Sequence, residues 1–168
     1  VSALSFHRVM SVLYNKDAVN EWGSVVALTY MAAQRVFPDY NDMADNKAYL
    51  ESVARSFGYF FGRDKKVRVN TISQSPTPTT AGSGVKGFDG FLAFAEKMSP
   101  LGNATALECA DYIVTLFSDL TKKVTLQNLF HDGGFSNMGV STALMDDFME
   151  NNAPEESVAE TVKKERKK

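Results

Sequence analysis

Tyr30, Tyr40 and Lys47 have the types and spacing that hydride-transfer chemistry needs. Tyr40 and Lys47 lie seven residues apart. On an α-helix this is about 20° short of two turns, so both side chains project from one face, about 10.5 Å apart along the axis. Met43 falls on nearly the same face, one turn in. A lysine held there can bind a ribose hydroxyl and add positive charge beside the phenol. The phenol can donate a hydrogen bond to an oxygen on which charge develops. Spacing alone does not single the pair out, because Tyr59 and Lys66 share it. Gly62, between those two, is expected to break the helix that would align them. Context favours Tyr40 and Lys47. They open a helix that follows a short buried strand, and Tyr30 stands at the end of that strand. In an open α/β sheet the ligand crevice lies beyond the carboxyl ends of the strands. On the residues alone, a half-exposed helix surface explains the same pattern equally well.

The elements that must position these groups alternate between helix and strand. Residues 2–15 carry Leu4, Val9, Met10, Val12 and Leu13 at helical spacing. GSVVALTY, residues 23–30, is a short valine-rich apolar run bounded by glycine, as in a fully buried parallel strand. Pro38 and Asp39 mark a helix start, and Leu50, Val53, Ala54, Phe57 and Phe60 recur at helical spacing until Gly62 stops the run. VRVNTIS (67–73) is the next strand. SQSPTPTTAGSGVKG (73–87) is a loop long enough to suggest a binding loop or lid. Helices over 88–99 and 106–120 follow, then a strand over 124–130 that ends in the turn His131-Asp132-Gly133-Gly134. This order is that of an α/β fold with a parallel sheet. We expect residues 1–150 to be the C-terminal part of a doubly wound, Rossmann-like parallel sheet, three strands with flanking helices. Residues 151–168 would be a charged, disordered tail.

No G-x-G-x-x-G or P-loop occurs, so if the fold is a nucleotide fold, the half that holds the adenosine and pyrophosphate is expected to be missing. The chain starts at Val1 inside a helix, as a fragment or processed product would.

Composition excludes more than it assigns. A net charge of −2 and a pI near 5.7 give no electrostatic footprint for nucleic acid or an anionic membrane. No apolar run approaches the roughly 20 residues of a membrane-spanning helix. The single cysteine, Cys109, allows no internal disulfide and sits in an apolar helical pattern as a buried, inert thiol. His7 and His131, the two histidines, lack carboxylates at ligand spacing, so no metal site is expected. His7 reads as a structural helix residue and His131 as part of a turn. The basic end, Lys163 to Lys168, has no interleaved aromatics and reads as a solvated tail.

LTYMAAQRVFPDYNDMADNKAYLES resembles the active-site segment of the enoyl-acyl-carrier-protein reductases, a divergent branch of the short-chain dehydrogenase/reductase superfamily. That branch is marked by Tyr-x6-Lys with a further tyrosine ten residues upstream. Tyr30, Pro38, Tyr40, Asn41, Met43 and Lys47 match it. The resemblance continues through VRVNTIS and its following proline to HDGGFSNMG, where the family has valine or a similar residue before Asp-Gly-Gly. It covers roughly residues 1 to 141, as the carboxyl-terminal two-thirds of such an enzyme, and the loop wording is closest to Bacteroidetes-type members.

The resemblance implies reduction of the trans-2 double bond of an enoyl chain carried on acyl carrier protein, with NADH as cofactor, in a cytoplasmic homotetramer. It implies that Tyr40 hydrogen-bonds the thioester carbonyl and that Lys47 binds the nicotinamide ribose. Tyr30 would line the acyl site next to that carbonyl. Thr77, just after Pro76, would offer its backbone to the nicotinamide carboxamide, and Thr79 would approach the pyrophosphate. Met43, Phe91 and Phe94 would border the acyl pocket within a substrate-binding loop over 73–98.

Two departures stand out. Ala44-Asp45-Asn46 replaces Gly-Leu-Ala before the lysine; Asp45, about 200° from Lys47 on the helix, is expected to face solvent. Ser73-Gln74-Ser75-Pro76 replaces Ser-Ala-Gly-Pro, exchanging a glycine for Ser75 at a tight turn. A carbonyl reductase of the same superfamily is disfavoured because it uses Tyr-x3-Lys, and Ala44 stands four residues after Tyr40. A non-catalytic, oligomer-forming module is the alternative from another class. The lone chain would expose the strand edge at 23–30 and is expected to be unstable or aggregated and nearly inactive.

Overall fold

The structure, a computed structural model, describes residues 2–79 and 87–152. Five helices and three strands run in the order α1 (Ser2–Asn15), β1 (Ser24–Thr29), α2 (Asn41–Lys65), β2 (Arg68–Gln74), α3 (Phe88–Met98), α4 (Ala106–Phe117), β3 (Asn128–His131) and α5 (Thr142–Asn152). The strands form one parallel sheet in the order β1-β2-β3, with Val25 opposite Val69 and Ile72 opposite Leu129. The expected α/β class and its three parallel strands are present.

Alternation along the strands sends side chains to two faces. Val25, Val67 and Val69 join Met10, Ala54 and Phe61 in the main core, under α1 and α2. Gly58 permits the close approach there, since a Cβ at that position would strike the Leu126 side chain and crowd Val69. On the other face, Ser24 Oγ and Arg68 Nη1 both donate to the Leu116 carbonyl at the end of α4. Helices therefore cover both sides.

β2 is buried along almost its whole length although four of its buried residues are polar. Each of these has partners that tie down the chain beyond α4, except Ser73, whose Oγ has none among the described residues. Arg68 Nη1 donates to the Thr121 carbonyl and hydroxyl, Asn70 Nδ2 to the Val124 carbonyl, and Thr71 Oγ1 to Asn128 Oδ1. A buried polar group without such partners would be costly.

Several boundaries differ from expectation. The helix marked by Pro38 and Asp39 starts at Asn41, because Asp39 takes a left-handed backbone (φ 60) that turns the chain first. Tyr40 is its N-cap, with its carbonyl accepting the Ala44 N–H at 2.9 Å. Gly62 does not stop this helix. Burial of Phe61 outweighs the roughly 1 kcal/mol cost of one interior glycine, and α2 ends at Lys65 where Lys66 turns left-handed. The strand expected over 124–130 pairs only from Asn128; Leu126 has φ 62, and the Thr125 hydroxyl takes the Val69 N–H in place of a backbone partner. His131, read as a turn, is the last residue of β3. The helix expected over 106–120 gives way after Phe117 to a short 3-10 turn, Asp119–Thr121. α5 was not anticipated. Residues 80–86 of the expected loop and 153–168 of the expected tail lie outside the described residues.

His7 is structural, with Nδ1 2.6 Å from the Tyr49 hydroxyl and its ring against Phe57, joining α1 to α2. Cys109 is a buried free thiol, and burial pushes it up from the ordinary thiol range. No described helix is long and apolar enough to cross a membrane.

Candidate active site

The site forms where β1 ends. Tyr30 follows the last strand residue with extended backbone (φ −151, ψ 149) and caps a 3-10 turn, Met31–Ala33. The chain then loops through Phe37 to Tyr40, and the two tyrosine rings meet edge to face with centroids 5.8 Å apart. Lys47, on the second turn of α2, reaches back to β1 and donates from Nζ to the Leu28 carbonyl at 2.9 Å. All three predicted residues are thus brought to the carboxyl end of one strand. Asp45 is exposed, as the helix geometry required.

Glu51 holds this corner together. It lies one turn beyond Lys47 and is 3% exposed. Its carboxylate accepts from Thr29 Oγ1 (2.9 Å), Gln34 Nε2 (2.9 Å) and Asn128 Nδ2 (3.2 Å). The residue before Tyr30, the turn after it and β3 are therefore fixed to the helix that carries Lys47. Sequence reasoning missed Glu51 because a lone glutamate on a helix normally faces water.

Burial governs the protonation of these groups. It raises the Tyr30 phenol far above its ordinary value, and the nearby Tyr40 and Asp132, which would repel a phenolate, add to the effect. Burial also raises Tyr40 and lowers Lys47. The Tyr30 hydroxyl is buried and has no hydrogen-bond partner among the described residues.

An aromatic wall continues from Tyr30. Phe91 of α3 packs at 6.2 Å from Tyr30 and 5.2 Å from Phe37, and Phe135 closes on Phe91 at 6.3 Å. Beside it lies a groove of about 430 Å³ whose lining includes Phe37, Phe91, Phe94 and Phe135. Met43 is exposed and lies outside that lining. Phe37 and Phe135 were not singled out from the sequence; their positions beside Pro38 and after Gly134 were the available signals.

Pro76 is buried just past β2, and Thr77 is half-buried, with its hydroxyl donating to the Ser75 carbonyl at 3.1 Å or the Ala104 carbonyl at 3.2 Å. Thr79 is exposed. Ser75 does not strain the turn. Its φ is not positive, and its Oγ accepts the Ala104 N–H at 2.8 Å. No group of three His, Cys, Asp or Glu side chains among the described residues is placed to hold a metal ion.

A parallel sheet with helices on both faces, and a tyrosine–lysine pair beyond its strand ends, is the architecture of the doubly wound reductases. Within that class, the chain belongs to the enoyl-(acyl carrier protein) reductase family, whose model matches residues 1–136. A crystal structure of FabI from Alistipes finegoldii in complex with NADH superposes with a TM-score of 0.83 at 66% identity, over 85% of this chain and 50% of that one. The NADH-type enoyl-[acyl-carrier-protein] reductase FabI of Bacillus subtilis (strain 168) is 36% identical over 121 residues, 71% of this chain and 46% of that protein. The NADPH-type enzyme of Staphylococcus aureus (strain NCTC 8325 / PS 47) is 37% identical over 121 residues, 71% and 47%. The chain thus spans about half the length of the curated relatives it matches, less than the two-thirds expected from its motifs.

Proposed function

We propose that this chain supplies the nicotinamide and acyl side of an enoyl-acyl-carrier-protein reductase. The enzyme saturates the trans-2 double bond of a carrier-bound enoyl thioester in fatty-acid synthesis. The observation that carries the reading is the meeting of Tyr30 and Tyr40 at the end of β1, with Lys47 anchored to that strand's Leu28 carbonyl.

The residues fit NADH and an enoyl thioester. Of three ammonium donors on Lys47, one serves Leu28, which leaves two for a ribose. The buried Tyr30 hydroxyl lacks a partner among the described residues, as a group awaiting a ligand would. NADH, when bound, supplies the hydride for the β-carbon. Tyr40, kept protonated by burial, donates a hydrogen bond to the thioester carbonyl and stabilises the enolate formed on the substrate. Lys47 holds the nicotinamide ribose and adds positive charge near that oxygen. Tyr30 lines the acyl site beside the carbonyl and excludes water from it. Thr77 and Pro76 border the nicotinamide carboxamide, and Thr79 the pyrophosphate. Phe91 and Phe94 line the groove that takes the acyl chain, and Met43 stands at its rim.

NADH is favoured over NADPH by the Alistipes finegoldii complex at 66% identity. The carrier-protein substrate, a homotetramer, a cytoplasmic location and a catalytic unit over residues 1–150 with a tail over 151–168 complete the proposal.

The test follows NADH absorbance with a crotonyl thioester, using the protein encoded by the whole reading frame that contains this chain. Turnover that collapses in both Tyr40→Phe and Lys47→Ala supports the reading. A folded, NADH-binding protein with no turnover would refute it and favour the non-catalytic module.

A further inference from the structure

Two departures that are far apart in the chain meet across the sheet. Gln74 stands where alanine is usual in Ser-Ala-Gly-Pro, and His131 where valine or a similar residue is usual before Asp-Gly-Gly. They are register partners at the carboxyl ends of β2 and β3, so their side chains leave the sheet on the same face. His131 Nδ1 lies 2.8 Å from Gln74 Oε1. An amide oxygen only accepts, so Nδ1 carries the hydrogen and donates it.

That bond orients the rest of the amide. Gln74 Nε2 points at Thr77 Oγ1 and donates across a long 3.4 Å. The threonine hydroxyl, accepting there, directs its own hydrogen to the Ser75 or Ala104 carbonyl. The backbone supports the same segment, because the Ser75 N–H donates to the His131 carbonyl at 3.1 Å. Behind His131 the ring of Tyr112 stacks in parallel, with centroids 5.0 Å apart and planes within 12°, which holds the imidazole in its donating orientation. An alanine–valine pair has neither the donor nor the amide and would leave Thr77 without this support.

We infer that His131 and Gln74 are positioning residues which, through Thr77, hold the Ser75–Thr77 segment ready for the nicotinamide end of the cofactor. The inference rests on the proposed function. Such a relay tightens cofactor binding by ordering the segment in advance and leaves the chemical step alone.

The experiment measures NADH affinity by fluorescence titration, steady-state kinetics and nucleotide-free thermal unfolding. It compares the whole-frame protein with Gln74→Ala, His131→Val, the double variant and His131→Asn. Each of the first two single variants should weaken NADH binding roughly three- to tenfold, the scale of one neutral hydrogen bond. The KM for NADH should rise in step, with kcat and the thioester KM within about twofold. The double variant should bind no worse than the weaker of these two, because both remove the same bond. His131→Asn, whose amide N–H reaches close to the place of Nδ1–H, should recover most of the affinity. Unchanged NADH affinity in the single variants, or a fall in melting temperature alone, overturns the relay. A wild-type protein that does not bind NADH removes the proposed function and the relay with it, whereas binding that is insensitive to these variants removes only the relay.

Discussion

Burial keeps the Tyr40 phenol protonated and makes charge expensive on Lys47. The phenol, raised from its ordinary 10.0, remains a donor through neutral and mildly alkaline solution. The kcat profile should therefore show no alkaline limb from Tyr40 below about pH 10. Tyr40→Phe should lower kcat about 100- to 1,000-fold, the usual cost of one lost oxyanion donor, with NADH affinity retained. For Lys47 the sign runs the other way. A cation whose value falls on folding costs stability wherever it stays charged, and the cost disappears only above its ordinary 10.5. Lys47→Met should therefore melt no lower than wild type at pH 7 while losing turnover; a marked drop in melting temperature would contradict this. Tyr30, Tyr40 and Lys47 were legible as candidates because they follow a buried strand and match the Tyr-x6-Lys pattern, with its upstream tyrosine, of the family the segment resembles. Glu51 and Phe37 were not, because a glutamate and a phenylalanine on these elements look like surface and core until their partners are known.

At the scale of elements, the turn after β3 is the least tolerant place. Gly133 has φ 63, and a Cβ there would collide with the Gly102 carbonyl oxygen, a backbone atom that cannot rotate aside. Gly133→Ala should cost about 2–4 kcal/mol by denaturant titration, combining left-handed strain with the clash. Gly139→Ala, which meets nothing within 4 Å, is the control and should stay within about 0.5 kcal/mol. The turn was visible in Asp-Gly-Gly, but its contact with the loop before α4 was not. The other misplaced boundaries share that character. Gly62 was read as a helix stop by propensity, and tertiary burial of Phe61 overrode it. Residues 124–127 had strand composition, yet the Thr125 hydroxyl took the Val69 N–H and the Asn70 amide the Val124 carbonyl, leaving two backbone bonds, Leu126 N–H to the Val69 carbonyl and Thr71 N–H to the Gln127 carbonyl.

At the scale of the whole molecule, the three described strands leave β1 at an edge. Large apolar side chains stand exposed on α1 and α4, with Leu4 at 61%, Val12 at 58%, Leu107 at 78% and Val114 at 66%. Exposed apolar surface of this extent marks faces that associate. The purified 168-residue chain should accordingly elute as oligomer or aggregate, and light scattering on a sizing column checks this. Its NADH turnover should be negligible; a monodisperse, active monomer would contradict both expectations.

The sequence by itself determined the class of fold and singled out Tyr40 and Lys47 as the candidate pair, since strand and helix periods and the Tyr-x6-Lys interval are local properties of the chain. The tertiary structure alone decided how Glu51 fixes the corner around Tyr30, how Phe37, Phe91 and Phe135 form one wall, and that Gln74 and His131 touch. Those contacts join residues 17 to 98 positions apart, and no local pattern encodes which of many compatible side chains packing will bring together.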